Sequence, residues 1–263
     1  MSVFIDKLKW LSRAAPQQSI GFRAAQPASP IPKLQLVASL PQESVESLTD
    51  HTAGADAGLL RISRPGSAAK TLKEVSRTTS DIPWGWWLPG SGLKTTKQTS
   101  KSGYDFIVFP AADTPLALLQ DGEAGKILEV ATSLGEGLLR TTNTLPVDAV
   151  LVTSEQPEEL SLTWQNLMLF RRFAALLTKP LLATIPSGVT AAELQALWEA
   201  GVSGVVTEIK DGQPEDSLKK LRQVIDKLTV PSPRRQEKIE PRLPGTSQEP
   251  GQTTIEEEDE EED

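Results

Sequence analysis

The chain has no cysteine, a single histidine (His51), one tyrosine and two methionines among its 263 residues. Without cysteine there is no thiol nucleophile, no cysteine-based zinc or iron–sulfur site and no disulfide framework. One histidine excludes a histidine metal cluster and a His-His acid/base pair. Long apolar runs are missing too. Arg171 and Arg172 interrupt LMLFRRFAALL, and the other runs are broken well short of the roughly 20 residues that a membrane span needs. The first residues lack the continuous apolar stretch of a secretory signal. Nor is there a basic stripe or an interleaved basic-aromatic pattern, so nucleic acid is not an expected partner. A soluble, cytoplasmic protein with no cofactor motif and no metal-ligand set is the expectation.

The net charge of -8 is local. The last eight residues, Glu256 to Asp263, are all acidic, and the chain before them carries 27 acidic and 27 basic residues. The low pI therefore describes a tail and not a surface field. Three zones separate by composition. Residues 1–32 hold an amphipathic segment, with Phe4, Ile5, Leu8 and Leu11 at near-helical spacing, and then a Pro/Ala/Ser stretch. Residues 33–229 are dense in short apolar runs. Residues 230–263 are rich in Pro, Gly and Glu and bury too little to offset their ordering entropy, so a disordered linker and acidic tail are expected, with a basic protein as the tail's possible partner. The N-terminal segment either touches a membrane surface or covers one end of the fold.

Eight apolar runs recur in the middle zone: LQLVASL (34–40), GLLRIS (58–63), IPWGWWL (82–88), DFIVFP (105–110), KILEVAT (126–132), AVLVTS (149–154), KPLLATI (179–185) and GVVTEI (204–209). Their spacing leaves room for a crossover helix between successive runs, and runs apolar throughout suit strands covered on both faces. The approaches alternate in type. Even runs are entered through Asp56, Asp105, Asp148 and Ser203, odd ones through Lys33, Pro83, Lys126 and Lys179-Pro180. This is an internal repeat of two βα units. The fold class read from it is α/β, a single (β/α)8 TIM barrel with an N-terminal covering helix; a doubly wound open sheet is the rival topology. Between the runs, AAELQALWEAG (191–201) places Leu194, Leu197 and Trp198 on one face, with Thr190 as N-cap and Gly201 at the end. Residues 42–51, 162–178 and 214–228 are also helical in pattern.

The segment IPSGVTAAELQALWEAGVSGVVTEI (185–209) resembles the closing βαβ unit of the phosphate-binding TIM barrels, the group of ribulose-phosphate-binding enzymes and thiamine phosphate synthase. The resemblance implies a phosphate held by the loops after strands seven and eight, with Ser187 and Gly188 as its backbone donors. The second loop departs from the pattern, since Thr207, Glu208, Ile209, Lys210 and Asp211 bring a carboxylate to the place of the anion.

In a barrel the reactive groups project from the C-terminal ends of the strands. No lysine lies inside a strand except Lys126 and Lys179 at the entrances, which argues against a Schiff-base aldolase. Arg61 and Glu129 each interrupt an apolar strand. Facing inward they would form an ion pair or bind a charged ligand; facing outward they would sit between barrel and helices. Glu129 could act with Glu208 as an acid/base pair. In PWGWWLPGSG (83–92), the two-residue period puts Trp84 and Trp86 on one face, read as inward, and Trp87 on the other. The inward pair either stacks on a planar ligand beside a Gly90/Gly92 loop or plugs the barrel. His51, near the end of the first expected helix, suits a charge at a helix C-terminus. Two functions remain. One is a degenerate or non-catalytic barrel serving as a small-ligand-binding or scaffold module. The other is a lyase, isomerase or synthase acting on a phosphorylated metabolite, with Glu129 and Arg61 as its catalytic pair.

Overall fold

The eight apolar runs become eight strands, and every neighbouring pair is parallel. They are β1 (Gln35–Pro41), β2 (Ala57–Arg61), β3 (Trp84–Trp87), β4 (Phe106–Pro110), β5 (Gly125–Ala131), β6 (Ala149–Thr153), β7 (Leu181–Ile185) and β8 (Gly204–Glu208). In this computed structural model β8 pairs back onto β1, so the sheet closes in sequence order and the open-sheet rival falls. The structure describes residues 2–14, 33–44, 52–63, 71, 75, 81–88, 103–120, 124–153, 162–210, 214 and 216–229. His51, Gly90, Gly92, Asp211, the Pro-rich stretch from residue 15 and the acidic tail with its expected partner lie outside the described residues.

Strand alternation divides the apolar side chains into two cores. Val37, Leu59, Phe106, Val108, Ile127, Leu151, Leu182 and Val206 face one another inside the barrel. Their neighbours along each strand, such as Leu36, Leu60, Ile107, Leu128 and Val150, face outward under the helices. The described helices are α1 (Val3–Ala14), α2 (Glu136–Thr141), α3 (Trp164–Leu176), α4 (Ala191–Glu199) and α5 (Ser217–Lys227). Thr190 opens α4 with a capping box: its hydroxyl accepts from the Glu193 N–H at 3.3 Å, and the Glu193 carboxylate accepts from the Thr190 N–H at 2.7 Å. Beyond α4, Gly201 takes φ +99°, the left-handed turn that glycine adopts without a Cβ penalty. On α3, Phe170 and Phe173 are buried, whereas Trp164 and Met168 stand exposed.

The repeat of two βα units, four times over, is written in hydrogen bonds. The N–H groups of Asp56, Asp105, Asp148 and Ser203 donate to carbonyls of Leu36, Trp84, Lys126 and Leu181, in each case at the start of the preceding odd strand. Two of the aspartates also return the bond: Asp56 Oδ2 accepts from the Leu36 N–H and Asp148 Oδ2 from the Lys126 N–H. Asp105 is diverted to α1 and accepts from the N–H groups of Val3 and Phe4 and the Ser2 hydroxyl at 2.8–2.9 Å. The Asp105 carboxylate opposes the positive end of α1 and satisfies donors that would otherwise have no partner.

Asp148 adds Lys9 of α1 at 2.6 Å. Burial alone would raise its pKa, but the hydrogen bonds from Lys9 and Lys126 and their charges outweigh it and hold the carboxyl below its ordinary range. A carboxylate with a depressed folded pKa contributes stability above its unfolded pKa, near 4, and loses it as pH falls through the folded value. A Lys9→Met variant is therefore expected to be less stable than the parent by about 1 kcal/mol or less at pH 7, since both partners are partly exposed. Urea titrations checked at pH 7 and again below pH 4 should show that difference shrinking with acid.

Candidate active site at the barrel mouth

Two residues beyond the interior apolar core, each strand presents one more inward position, and these positions form the mouth. They are Ser39, Arg61, Trp87, Pro110, Glu129, Thr153, Thr184 and Glu208, placed by alternation from the interior set and by the strand registers. A polar rim thus stands on an apolar floor of Leu59, Val108, Leu151 and Val206.

Arg61 and Glu129 both face inward, and they meet through a third residue. The Trp87 indole Nε1–H donates to Glu129 Oε2 at 2.7 Å, and the Arg61 guanidinium carbon lies 4.4 Å from the Trp87 ring centroid. A guanidinium over an indole face is attracted by the ring quadrupole, by about 0.5–1 kcal/mol where exposed. Arg61 also approaches Glu208, Nη1 to Oε1 at 3.8 Å, with side chains 47% and 35% exposed. That separation is beyond hydrogen-bonding reach. The guanidinium is therefore positioned by a ring and a distant carboxylate and keeps donors for an incoming anion.

The tryptophan assignment is reversed. Trp84 and Trp86 face outward into the layer beneath the helices, and Trp86 stacks on Tyr104 with centroids 4.7 Å apart. Trp87 is the inward indole. Gly58 explains the reversal: it is in register with Trp84, and a Cβ there would lie 2.4 Å from Trp84 Cε3, so the indole lies over the glycine outside the barrel. Inside, Gly85 plays the same part for Phe106, whose Cε2 would be 2.3 Å from an added Cβ. The period of two was legible; which phase faced inward depended on glycines in neighbouring strands. Neither Trp84 nor Trp86, at 3% and 4% exposed, offers a ring face to a ligand.

Ser187 and Gly188 form an exposed turn between β7 and α4. Just beyond them the Glu193 carboxylate occupies the N-terminus of α4, its pKa lowered by the N–H and hydroxyl of Thr190. An anion at this turn must approach from the side of Ser187 and Gly188 and not along the helix axis. Sequence reasoning missed Trp87 as a mouth residue. Arg61 faces Trp87 directly in register, a signal available once β2 and β3 are aligned.

No protein-family model matches the chain, and no curated protein matches it. Solved structures do. The tryptophan synthase α-subunit from the hyperthermophile Pyrococcus furiosus aligns with a TM-score of 0.57 at 15% identity, over 74% of this chain and 98% of that one. A mutant form of the same subunit gives 0.56 at 17% identity over the same shares. At this identity the similarity establishes the fold.

Proposed function

We propose that the barrel binds a small phosphorylated metabolite at its C-terminal mouth and acts as a ligand-binding module. The observation that carries this reading is Arg61: a half-exposed guanidinium, held over Trp87 and not saturated by Glu208, on the face where barrels of this type place their ligands. Ser187 and Gly188 would add backbone donors from the loop after β7. No described inward strand position carries lysine or histidine, which removes the commonest groups of acid/base and Schiff-base chemistry.

A second reading, a lyase, isomerase or synthase on a phosphorylated metabolite, draws on one specific feature. Glu129 and Glu208 bring two carboxylates to the same mouth, the residue types that paired acid/base chemistry uses. One experiment serves both. Thermal-shift and calorimetric titration against phosphorylated metabolites, nucleotides and flavins is expected to give a phosphorylated hit, weakened at least tenfold in Arg61→Ala and lost in Ser187→Glu. Binding without turnover supports the module; turnover abolished in Glu129→Gln supports the enzyme. A panel with no phosphorylated hit overturns both.

A further inference from the structure

We infer that Ser39 is a ligand-binding residue, and that the ligand carries a hydroxyl group beside its phosphate. This rests on the reading of the mouth as an anion site. Ser39 is 1% exposed, and its hydroxyl has no hydrogen-bond partner. Folded proteins retain few such groups, because a buried hydroxyl without a partner has surrendered its water for nothing.

The position of this hydroxyl gives it meaning. Ser39 follows Val37 by two residues on β1, so it shares the inward face. Its Cα is in register with Glu208 on one side, and Arg61 is in register with Pro41 on the other. Arg61 and Glu208 therefore reach toward each other from the two strands that flank β1, the strand that carries Ser39. The three groups form a complementary set. Arg61 can only donate, an ionised Glu208 can only accept, and Ser39 can do either. A phosphate that engages Arg61 draws the guanidinium from Glu208 and uncovers Ser39. A hydroxyl a few bonds from that phosphate then donates to the Glu208 carboxylate and accepts from Ser39 Oγ–H. Inorganic phosphate engages the anion site and leaves Glu208 and Ser39 without a ligand partner. Discrimination of this kind is strong because the analogue lacking the hydroxyl leaves site groups unpaired.

The test compares calorimetric affinities for glycerol 3-phosphate and inorganic phosphate in the parent and in Ser39→Ala. The expected result is tighter binding of glycerol 3-phosphate by the parent, an advantage that falls about tenfold in Ser39→Ala while inorganic phosphate binds unchanged. The ligand-free Ser39→Ala protein should also melt about 2–4 °C higher, because an unpartnered hydroxyl has been removed. Equal affinity for the two probes, or an advantage that survives Ser39→Ala, overturns the role of Ser39 and leaves the anion site standing. A lower melting point in Ser39→Ala likewise overturns it, by revealing a structural partner such as a buried water. Failure of both probes to bind the parent removes the anion site and this inference with it.

Discussion

A chain lacking residues 1–14 is expected not to hold a cooperatively folded barrel. Phe4, Ile5, Leu8 and Leu11 are 0–6% exposed, and the first three join the barrel's interior core at its N-terminal end. Phe4 lies 4.6 Å from Phe106, centroid to centroid. A Cβ added at Gly125 would lie 2.3 Å from Ile5 Cγ1, so the strand is shaped to receive the helix. Burying four such side chains is worth about 6–12 kcal/mol at about 1.5–3 each, comparable with the whole stability of a domain, about 5–15 kcal/mol. Deletion would also leave Asp105 without the three donors it now accepts. Circular dichroism melts and dye binding to exposed apolar surface would decide the matter. A sharp transition near the parent's midpoint would show that α1 is an appendage. Leu8→Ala, expected to cost about 2–5 kcal/mol, grades the same contact without removing the helix. With this end closed, α1 also leaves the opposite mouth as the place for a ligand to enter.

The strands were legible because a parallel barrel buries both faces of every strand, and burial on both faces writes an uninterrupted apolar run. The alternating approaches were legible for a different reason. Asp56 and Asp148 perform the same local task, capping the start of the preceding odd strand, and a repeated task keeps its residue type. Asp105 matches them in sequence and backbone bond but serves α1, a contact about 100 residues apart that no local pattern announces. The expectation that the N-terminal segment covers one end of the fold followed from its amphipathic spacing alone; which carboxylate would receive it did not.

At the mouth, Arg61 and Glu129 stood out because a charge inside an apolar strand must find compensation or water. Their orientation was open in the sequence, as was the identity of the residue joining them. Trp87 joins them because β2 and β3 place Arg61 and Trp87 side by side, while Glu129 reaches the indole from β5. Such a contact depends on the stagger between strands, which a single sequence does not display. Ser39 lies at a strand end, where reactive polar groups are sought, but a serine in an apolar run is not by itself a ligand residue, and only the missing partner singles it out.

Gly58→Val is the second substitution with a large expected effect. Valine suits a strand better than glycine, and Gly58 has no left-handed backbone to preserve, so any loss must come from the space the side chain enters. That space is filled: the added Cβ would stand 2.4 Å from Cε3 and Cζ3 of Trp84 and 2.6 Å from Cδ2. The obstacle is a flat ring with no flexible end, itself 3% exposed. The cost should reach the upper end of what overpacking does, about 3 kcal/mol. Trp84→Ala, which opens a cavity, should cost about 3–5 kcal/mol by itself. Together the two should cost less than their sum by about 1–3 kcal/mol, since each removes the obstacle or fills the hole left by the other. Gly137→Ala serves as the control. Nothing lies within 4 Å of its added Cβ, and it sits in α2, so it should raise stability by up to about 1 kcal/mol. Urea unfolding of the four variants measures all of this. Strict additivity of Gly58→Val and Trp84→Ala would mean that the indole does not lie over the glycine, and the outward placement of Trp84, with the inward placement of Trp87 that follows from it, would fall together.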